Sequence, residues 1–565
     1  ADDGSNTDGF MTEHMEFADQ LAGYVESEHP EFLVNKLYYD AYKKDMTAGT
    51  YPDVRSGLQK LLKDGLLLFN YTGHGGTTAL SDEKVLTQTD INQFTYTHLP
   101  VWVTATCDFT RFDDLNTSAG EDVFLNKSSG GIALFTTVRV AYSRPNFPIN
   151  DNVIRNLFER NNGRRRTLGE VMQATKNTLS SVYKLGFCLI GDPAVKMAYP
   201  EFGMKVTTVN GQSVDGNSIS FKALEKITVE GEVLDASGQL VTDFTGIVNP
   251  TVKDSKVTVT CLKNSNKDDS PAFTFTDYPN TIFIGNDSVR NGKFSFTFTV
   301  PKDISYSNLQ GKMNLYAVDT ESGNEAQGNF DNFIVGGTSD TAETDTIGPE
   351  IRALYLNDTT FVDGGQVNTT PYFVAELWDK SGVNITGSSV GHDMMLVIDE
   401  STVLSYNLNS YYELLPGEEG TGIVKFPIPA LEPGKHTAEF WVWDILNNST
   451  VRTFTFEVVE GLKPFLFDVI ATPGIAREQV TFHLMHNRPE SRMRVGIMVY
   501  DLAGRQLWKH EESGTSGLFE NYTVSWDLTS GGARMRPGVY IYRAAISTDN
   551  SKDATKARKF IILGE

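Results

Sequence analysis

The spacing of hydrophobic and polar residues along the chain changes near residue 200. Before this point, short apolar runs alternate with segments in which apolar residues recur three or four positions apart. The apolar runs predict buried strands at 66–72, 101–106 and 132–138. The second spacing predicts helices around 12–28, 53–64, 150–160 and 168–183. This alternation is typical of an α/β layer with a mostly parallel sheet.

After residue 200, apolar and polar side chains alternate one by one, as in Phe294, Phe296 and Phe298. A period of two predicts half-buried strands of antiparallel sheets. Farther along, Trp378 and Trp443 each precede an aspartate at the end of an alternating segment. This repeated pattern favours immunoglobulin-like sandwiches in the second half of the chain.

A polar segment at 336–350, rich in Gly, Thr and Asp, predicts a linker between domains. We therefore predict a multidomain protein in which an α/β domain is followed by three all-β modules of the immunoglobulin-like sandwich type. The α/β domain and the modules are predicted at 1–200, 201–340, 345–460 and 461–565. The opening ADDGSNTDGF is loop-like with no strand before it, which predicts that the α/β domain lacks its N-terminal part.

The 565 residues include 72 acidic and 49 basic side chains, which give a net charge of -23. Nucleic acid and anionic lipid would repel such a chain, so both are excluded as its main partner. No run of 18 apolar residues occurs, and the sequence therefore predicts no transmembrane helix. The acidic loops leave a structural calcium ion open, although no stretch has EF-hand spacing, and the sequence predicts no other metal and no cofactor.

The apolar run before His74 and the run before Cys107 predict two strands that end close to these residues. In an open α/β sheet, the functional site lies beyond the carboxyl ends of the strands. The glycines beside His74 allow a sharp turn and a close approach to a ligand. A thiol with a nearby imidazole has the chemistry of a cysteine hydrolase. The alternatives are a histidine that serves only in a turn and a cysteine that serves only as a small buried group.

The other two cysteines receive no chemical role. Cys188 lies inside the apolar run LGFCLI and is predicted to belong to the core, whereas Cys261 ends a predicted strand of a β module. With Cys107 they make three cysteines, which are too far apart for a disulfide framework or a paired zinc site. The remaining histidines, including His14, are interpreted as structural or surface residues.

Four successive segments of the first 200 residues resemble the gingipain family of cysteine peptidases. They read NYTGHGGTTALSDE, VTATCDFTRFDD, GGIALFTTVRVAYS and LIGDPAVKM. The resemblance implies a caspase-like fold in which Cys107 is the nucleophile and His74 the general base. It also implies that the backbone N–H groups of Gly75 and Cys107 form the oxyanion hole.

The segment CDFTRFDD departs from the small residues that follow the cysteine in gingipains, and it is similar to the PorU-type C-terminal signal peptidases of type IX secretion. The last module, with DLAGR, Trp526 and PGVY in order, resembles the C-terminal sorting domain of type IX cargo proteins of Bacteroidota. Together these resemblances imply a sortase at the cell surface that removes the sorting domains of cargo proteins.

The same resemblance implies the partners of such a sortase. Residues 462–565 would dock on an outer-membrane β-barrel shuttle, PorV-like in that family, and the protein would be associated with the outer membrane. Whether cleavage ends in hydrolysis or in transfer of the cargo to an anionic lipopolysaccharide stays open. Two other functions also stay open, a secreted gingipain-like endopeptidase that is itself cargo and a non-catalytic surface adhesin.

Further site residues follow from the caspase-like resemblance and from chain position. Asp2 and Asp3 are candidates for the group that orients His74, since their loop is able to reach the same sheet edge, and a backbone carbonyl is the alternative. By analogy with caspase-like folds, we expect the substrate pocket to be lined from the strand ends and the segment after the third strand. The expected pocket residues are Thr72, Ala105, Thr137, Arg139 and Tyr142.

Overall fold

A computed structural model describes residues 1–2, 12–94, 96–127, 129–161, 163–264, 271–340, 345–387, 391–415, 420–548 and 550–563. The chain divides into two compact units. The first comprises Ala1–Phe221, Ile227–Phe298 and Ser305–Gly336, and the second comprises Lys222–Lys226, Thr299–Ile304 and Gly337–Glu565. Within the described residues, no helix has both the length and the apolar character needed to cross a membrane.

The first unit begins with an α/β domain. Its helices are α1 (Glu13–Glu28), α2 (Pro52–Asp64), α3 (Gln88–Gln93), α4 (Ala119–Leu125), α5 (Ser143–Phe158) and α6 (Leu168–Thr178). Its strands are β1 (Leu68–Thr72), β2 (Ala79–Leu80), β3 (Leu86–Thr87), β4 (Val101–Ala105), β5 (Ala133–Thr137), β6 (Arg160–Asn161), β7 (Arg164–Arg165) and β8 (Phe187–Ile190). The central sheet has the order β1-β4-β5-β8, in which β1, β4 and β5 are parallel and β8 is antiparallel to β5.

Helices cover this sheet with two apolar clusters. Leu58 and Leu62 of α2 pack in the same cluster as Trp102. Val153 of α5 and Val171 of α6 pack in a second cluster with Phe135. All residues of β4 and β5 are buried, which explains why these strands read as continuous apolar or threonine-rich runs.

Two predicted helix boundaries and one predicted core residue need correction. Helix α5 starts at Ser143, whereas the sequence predicted a start near 150. The prediction missed the first turns because one proline falls there and Pro148 lies inside the helix, and both hide the helical pattern. Helix α6 ends at Thr178, and not at 183 as predicted, because the backbone of Leu179 is already extended. Cys188 is only half-buried, because strand β8 is an edge strand in which Phe187 takes the core position.

The first β module follows in the same unit. Its strands are β9 (Phe202–Val209), β10 (Gln212–Ser213), β11 (Ile219–Ala223), β12 (Lys226–Leu234), β13 (Gly246–Lys253), β14 (Val257–Thr260), β15 (Thr274–Asp277), β16 (Thr281–Ile284), β17 (Asp287–Arg290), β18 (Lys293–Thr299), β19 (Leu309–Gln310), β20 (Lys312–Asp319), β21 (Glu325–Phe330) and β22 (Phe333–Thr338). The main sheet runs β10-β9-β12-β18-β17-β13-β20-β21, and β21 also pairs with β9. Hydrogen bonding therefore joins β21, at one end of this sheet, to β9, the neighbour of β10 at the other end, and β11-β22-β19 form a separate sheet.

The hairpin of β14 and β15 packs against the start of the α/β domain. Met15 of α1 and Tyr38 form a buried cluster with Cys261 and Phe275, and the ring centroids of Tyr38 and Phe275 are 4.6 Å apart. Lys36 Nζ donates to the carbonyl oxygen of Thr276 at 2.9 Å. Burial in this cluster, followed by the charge of Asp40, raises the pKa of the Cys261 thiol to about 12.

The second unit contains two further sets of sheets. The first set has strands β23 (Glu350–Leu356), β24 (Gly365–Val367), β25 (Tyr372–Trp378), β26 (Met395–Ile398), β27 (Ser405–Asn407), β28 (Tyr412–Leu414), β29 (Thr421–Pro427), β30 (Gly434–Trp443) and β31 (Ser449–Val458). They form sheets of order β23-β25-β29-β28 and β24-β31-β30-β26-β27. Phe373 of one sheet lies 5.0 Å from Phe440 of the other between ring centroids, so both sheets share one core.

The last set has strands β32 (Leu466–Thr472), β33 (Ile475–Ala476), β34 (Val480–His486), β35 (Met493–Tyr500), β36 (Gln506–Gly514), β37 (Tyr522–Trp526), β38 (Thr529–Ser530), β39 (Ala533–Arg534), β40 (Gly538–Ser547) and β41 (Ala554–Ile562). Two sheets, β32-β34-β37 and β33-β41-β40-β35-β36, face one core in which Phe482 packs on Tyr542 and Trp526 stacks on Trp508. The fold is thus an α/β domain with a mostly β remainder, and the number of immunoglobulin-like modules and their boundaries stay predictions.

Candidate active site

The loop that carries His74 follows directly from strand β1. The Tyr71 hydroxyl donates to the carbonyl oxygen of His74 at 2.8 Å, and the His74 backbone N–H donates to Asp2 Oδ2 at 2.6 Å. Gly73 fits between these two side chains. A Cβ atom there would lie 2.5 Å from Tyr71 Oη and 2.7 Å from Asp2 Cγ, which is far inside van der Waals contact. Only glycine allows the backbone to pass at this point.

Asp2 is buried and hydrogen-bonds to the ring of His14, which is buried as well. The ring of His14 in turn meets the ring of His74 edge to face, with centroids 4.9 Å apart and planes at 81°. Two histidines and one carboxylate are therefore packed together at the end of β1. The prediction that Asp2 reaches this edge agrees with its position, whereas Asp3 lies outside the described residues.

The charges of this group are coupled. Burial by itself would raise the pKa of Asp2, but the hydrogen bond and charge of His14, with the charge and backbone N–H of His74, outweigh burial and lower it. Burial would likewise lower the pKa of His14, and the hydrogen bond and charge of Asp2 reverse this and raise it. The contact between the two side chains therefore favours the charged form of each, carboxylate and imidazolium.

Cys107 is half-buried just beyond strand β4. Its Sγ lies 3.0 Å from the carbonyl oxygen of Ala141 and 3.4 Å from the Ala141 amide nitrogen. The next residue, Asp108, has a φ of 48°, a left-handed conformation that bends the chain sharply at the thiol. Burial raises the pKa of the Cys107 thiol, the hydrogen bond to Ala141 lowers it, and the charge of Asp108 raises it further.

The parallel register brings the two loops together. Thr72 of β1 pairs with Ala105 of β4, and His74 and Cys107 each follow two residues later. Gly75 lies against Thr106, since a Cβ atom on Gly75 would be 2.4 Å from Thr106 Oγ1. Gly75, which follows His74, thus lies against the side chain of Thr106, which precedes Cys107.

The backbone around both residues leaves N–H groups available. The Thr137 hydroxyl donates to the carbonyl oxygen of Thr106 at 2.5 Å, which turns the N–H of Cys107 the opposite way because the peptide is planar. His74 and Gly76 pair across the loop with Ser81 and Ala79, so the N–H of Gly75 faces away from that pairing. In the described part of the chain, neither N–H donates to a carbonyl.

A pocket of about 240 Å³ opens beside Cys107, since Ala141 belongs both to its wall and to the thiol's contacts. It is lined by Thr137, Arg139, Val140, Ala141, Val182, Tyr183, Leu185 and Gly186. Arg139 is bound by Asp113 through two hydrogen bonds of 3.0 and 2.6 Å. Because the charge of Arg139 is paired with Asp113 and most other lining residues are apolar, the wall of this pocket is mainly apolar.

The structure places the five expected pocket residues in different surroundings. Thr137 and Arg139 line the pocket, and the ring of Tyr142 meets that of Tyr183, a wall residue, at 6.1 Å. Thr72 and Ala105 are buried in their strands and are not among the wall residues, so their role in substrate binding stays a prediction.

The described residues contain two clusters of side chains with metal-ligand chemistry. In Asp2, His14 and His74 the polar atoms lie within 4.8 Å, an arrangement that the hydrogen bonds described above account for. The carboxylates of Asp345, Asp379 and Asp444 also lie within 4.8 Å of one another. Each of the three carboxylates accepts hydrogen bonds from nearby backbone N–H groups, and calcium there stays an open expectation.

Replacing Asp108 with asparagine is expected to move the pH profile of Cys107 alkylation to lower pH by about half a unit, because one negative charge beside the thiol is lost. Asparagine also tolerates a positive φ, so the bend remains. The rate of iodoacetamide labelling at Cys107, followed by mass spectrometry from pH 5 to 10, measures the shift. Asp114→Asn, which changes an exposed carboxylate in the same loop, is the control and should leave the profile in place.

Chain position alone gave no sign of the part that His14 takes in this site. It belongs to helix α1, and only the packing of that helix on the sheet brings it to Asp2 and His74. An acidic first turn with Glu13 and Glu16 is ordinary for a helix start and does not distinguish the histidine between them.

Comparison with known proteins gives the site a family context. Residues 1–198 match the model of peptidase family C25. Latent dimeric PorU from Porphyromonas gingivalis is 36% identical, with 78% of this chain and 41% of that chain covered and a TM-score of 0.32. The Arg-specific cysteine proteinase gingipain R (RgpB) is 18% identical, with 59% and 66% covered and a TM-score of 0.30.

A complex of the RgpB pro- and mature domains from Porphyromonas gingivalis is 18% identical, covers 59% of this chain and 65% of that chain, and has a TM-score of 0.28. The chain thus spans less than half of the PorU chain and just under two thirds of the RgpB chains. A comparison with curated protein sequences gave no match. Over residues 1–198, the chain is thus similar to peptidase family C25, the gingipain family of cysteine peptidases.

Proposed function

We propose that this chain is a cysteine endopeptidase in which Cys107 is the nucleophile and His74 the general base. The observation that carries the proposal is the contact of Gly75 with Thr106, because it joins the loop of the imidazole to the residue before the thiol. The match of residues 1–198 to peptidase family C25 supports cysteine chemistry at this site. In a non-catalytic adhesin, the proximity of the His74 loop to the residue before Cys107 would have no function.

The reaction uses groups that the site already holds. His74 takes the thiol proton, the Cys107 sulfur attacks the scissile carbonyl, and the N–H groups of Gly75 and Cys107 donate to the resulting oxyanion. His74 then returns the proton to the leaving amine, which departs and leaves a thioester. Water attacks the thioester in hydrolysis, and an acceptor amine attacks it in transfer; either step regenerates the thiol.

We further propose that the substrates are proteins with type IX secretion sorting domains, and that the chain acts as a sortase at the cell surface. The support lies in the sequence, in the segment CDFTRFDD after the thiol and in the sorting-domain features of residues 462–565. Transfer to an anionic lipopolysaccharide is part of this proposal, since a thioester accepts an amine as readily as water when the amine is positioned.

The test is to incubate the full chain with a tailed cargo protein and to determine the new termini by mass spectrometry. We expect one cut before the cargo's sorting domain, with the main body hydrolysed or joined to an added amine such as glycinamide. Cargo left intact, while a denatured general substrate is cut at many positions, would favour the endopeptidase that is itself cargo.

The tail offers a surface for the proposed β-barrel shuttle. Ile475 of β33, Ile561 of β41 and Val539 of β40 are neighbours across three paired strands, and Ile475 and Val539 are exposed. With Ile541 they form an apolar row on the outer face of the five-stranded sheet. A membrane-embedded partner with an apolar rim fits this row better than a soluble charged protein does.

Charge introduced into this row should break the docking. Val539→Glu with Ile541→Glu is expected to release the protein from outer-membrane fractions into the medium while cargo cleavage in solution persists. Phe519→Glu, at an exposed loop residue of the same module, is the matched control and should remain membrane-associated. Release of both proteins, or of neither, would argue against docking through the apolar row.

Intact-mass measurement of the surface protein separates the sortase from a cargo endopeptidase. A sortase that docks through its tail retains residues 462–565, whereas cargo loses its sorting domain when it is processed. A surface species that retains residues 462–565 supports the sortase, and one ending near residue 461 supports the cargo endopeptidase.

A further inference from the structure

A second histidine is built into the active site behind the proposed base. His14 lies in the first turn of α1 and is buried, with 8% of its surface exposed. Its ring is bound to Asp2 and meets the ring of His74 edge to face. The mechanism proposed above uses His74 and leaves His14 without a function.

The contacts of Asp2 explain what His14 is able to control. The carboxylate accepts from the ring of His14, from the His74 backbone N–H at 2.6 Å and from the Tyr71 hydroxyl at 3.4 Å. It also lies against Gly73, where no side chain would fit. A change in the position of Asp2 is therefore transmitted to the backbone that carries the proposed base.

The charges around His14 come from three parts of the domain. Asp2 faces it from the first residues, Glu13 adjoins it on α1, and His74 faces it from the loop after β1. Glu13 is bound by Arg144, with Nε 3.0 Å from Oε1.

We propose that His14 is a positioning residue of the active site, which holds Asp2 against the His74 backbone and cancels the charge of that carboxylate beside the His74 ring. The inference rests on the proposed function, because His14 acts only through a base that serves Cys107. As a cation next to an anion, His14 keeps the surroundings of His74 close to neutral. Without it, the charge of the buried carboxylate beside His74 is uncompensated.

This role predicts the direction of a pH shift. In His14→Gln, the amide still donates a hydrogen bond to Asp2, but the positive charge is lost. The uncompensated carboxylate favours protons on nearby groups, so the pH profile of Cys107 alkylation should move up by about one unit. In the double variant Asp2→Asn with His14→Gln, both charges are absent, and the profile should return to that of the wild type.

The experiment measures iodoacetamide labelling of Cys107 in the full chain from pH 5 to 10, by mass spectrometry of its peptide. His14→Lys, which keeps a positive charge, should retain a midpoint near that of the wild type. His29→Gln, at the other end of α1, is the matched control and should not shift the profile. Thermal unfolding of every variant shows that the labelled protein is folded.

The outcomes separate this inference from the proposed function. If His74→Ala leaves the profile unchanged, the proposed base is wrong and the role of His14 falls with it. If His74→Ala changes the profile but His14→Gln does not, only the inference about His14 is overturned. A double variant that is shifted as far as His14→Gln would also overturn it, because a role in packing alone predicts no recovery when a second native group is removed.

Discussion

Replacing Cys107 with alanine is expected to lower the rate of peptide cleavage at least about a thousandfold, because no other group of the site is able to form the thioester. The folded state should persist, since the side chain is only half-buried and an alanine fits the same space. Release of a sorting domain from a tailed cargo protein, quantified by gel or mass spectrometry at matched protein concentrations, gives the rate.

Cys188→Ala is the matched control, since it removes a half-buried thiol of the same domain that lies in β8, paired with Thr136 of β5. We expect cleavage near the wild-type rate. A Cys107→Ala protein that trims cargo normally would refute the assignment of the nucleophile. Cleavage lost in Cys188→Ala, with an unchanged unfolding temperature, would point to that cysteine in its place.

Replacing Gly73 with alanine is expected to reduce cleavage by about a hundredfold or more without touching a reacting group. The added Cβ would meet Tyr71 Oη at 2.5 Å and Asp2 Cγ at 2.7 Å, so the chain must shift where it leads into His74. A misplaced base costs orders of magnitude because proton transfer needs hydrogen-bond geometry. The crowding should also lower the free energy of unfolding by about 1–3 kcal/mol.

Gly76→Ala tests whether the effect belongs to that single contact. A Cβ on Gly76 would meet nothing within 4 Å, so this variant should cleave and unfold much as the wild type does. Cleavage is measured with saturating cargo, and unfolding by circular dichroism. Equal activity of the Gly73 and Gly76 variants would show that Asp2 and Tyr71 do not fix the loop of His74.

Local patterns were sufficient to predict the sheet that holds the site. The apolar runs before His74 and Cys107 became β1 and β4, and their parallel register puts both residues at one edge. This succeeded because strands buried on both faces are written as continuous apolar segments. Thr137 and Arg139, expected in the substrate pocket by analogy with caspase-like folds, line the pocket beside Ala141, and their role in binding substrate stays a prediction.

Other features depend on contacts that no spacing encodes. The partner of Asp2 comes from α1, and the closed pairing of β9 with β21 joins strands more than a hundred residues apart. Prolines in α5 masked the start of this helix because single-residue preferences oppose it while tertiary packing stabilises it. The half-exposure of Cys188 likewise reflects an edge position that depends on the whole sheet.

Helix α1 contacts both the proposed active site and the first β module. His14 contacts Asp2 and the ring of His74, while the next residue, Met15, is buried with Cys261 and Phe275 of that module. Thermal unfolding of the β14–β15 hairpin would expose Met15. In the same transition, it would weaken the packing that holds His14 in position. A protein truncated after residue 200 would lack that covering. It would expose an apolar patch at the start of helix α1, which carries His14.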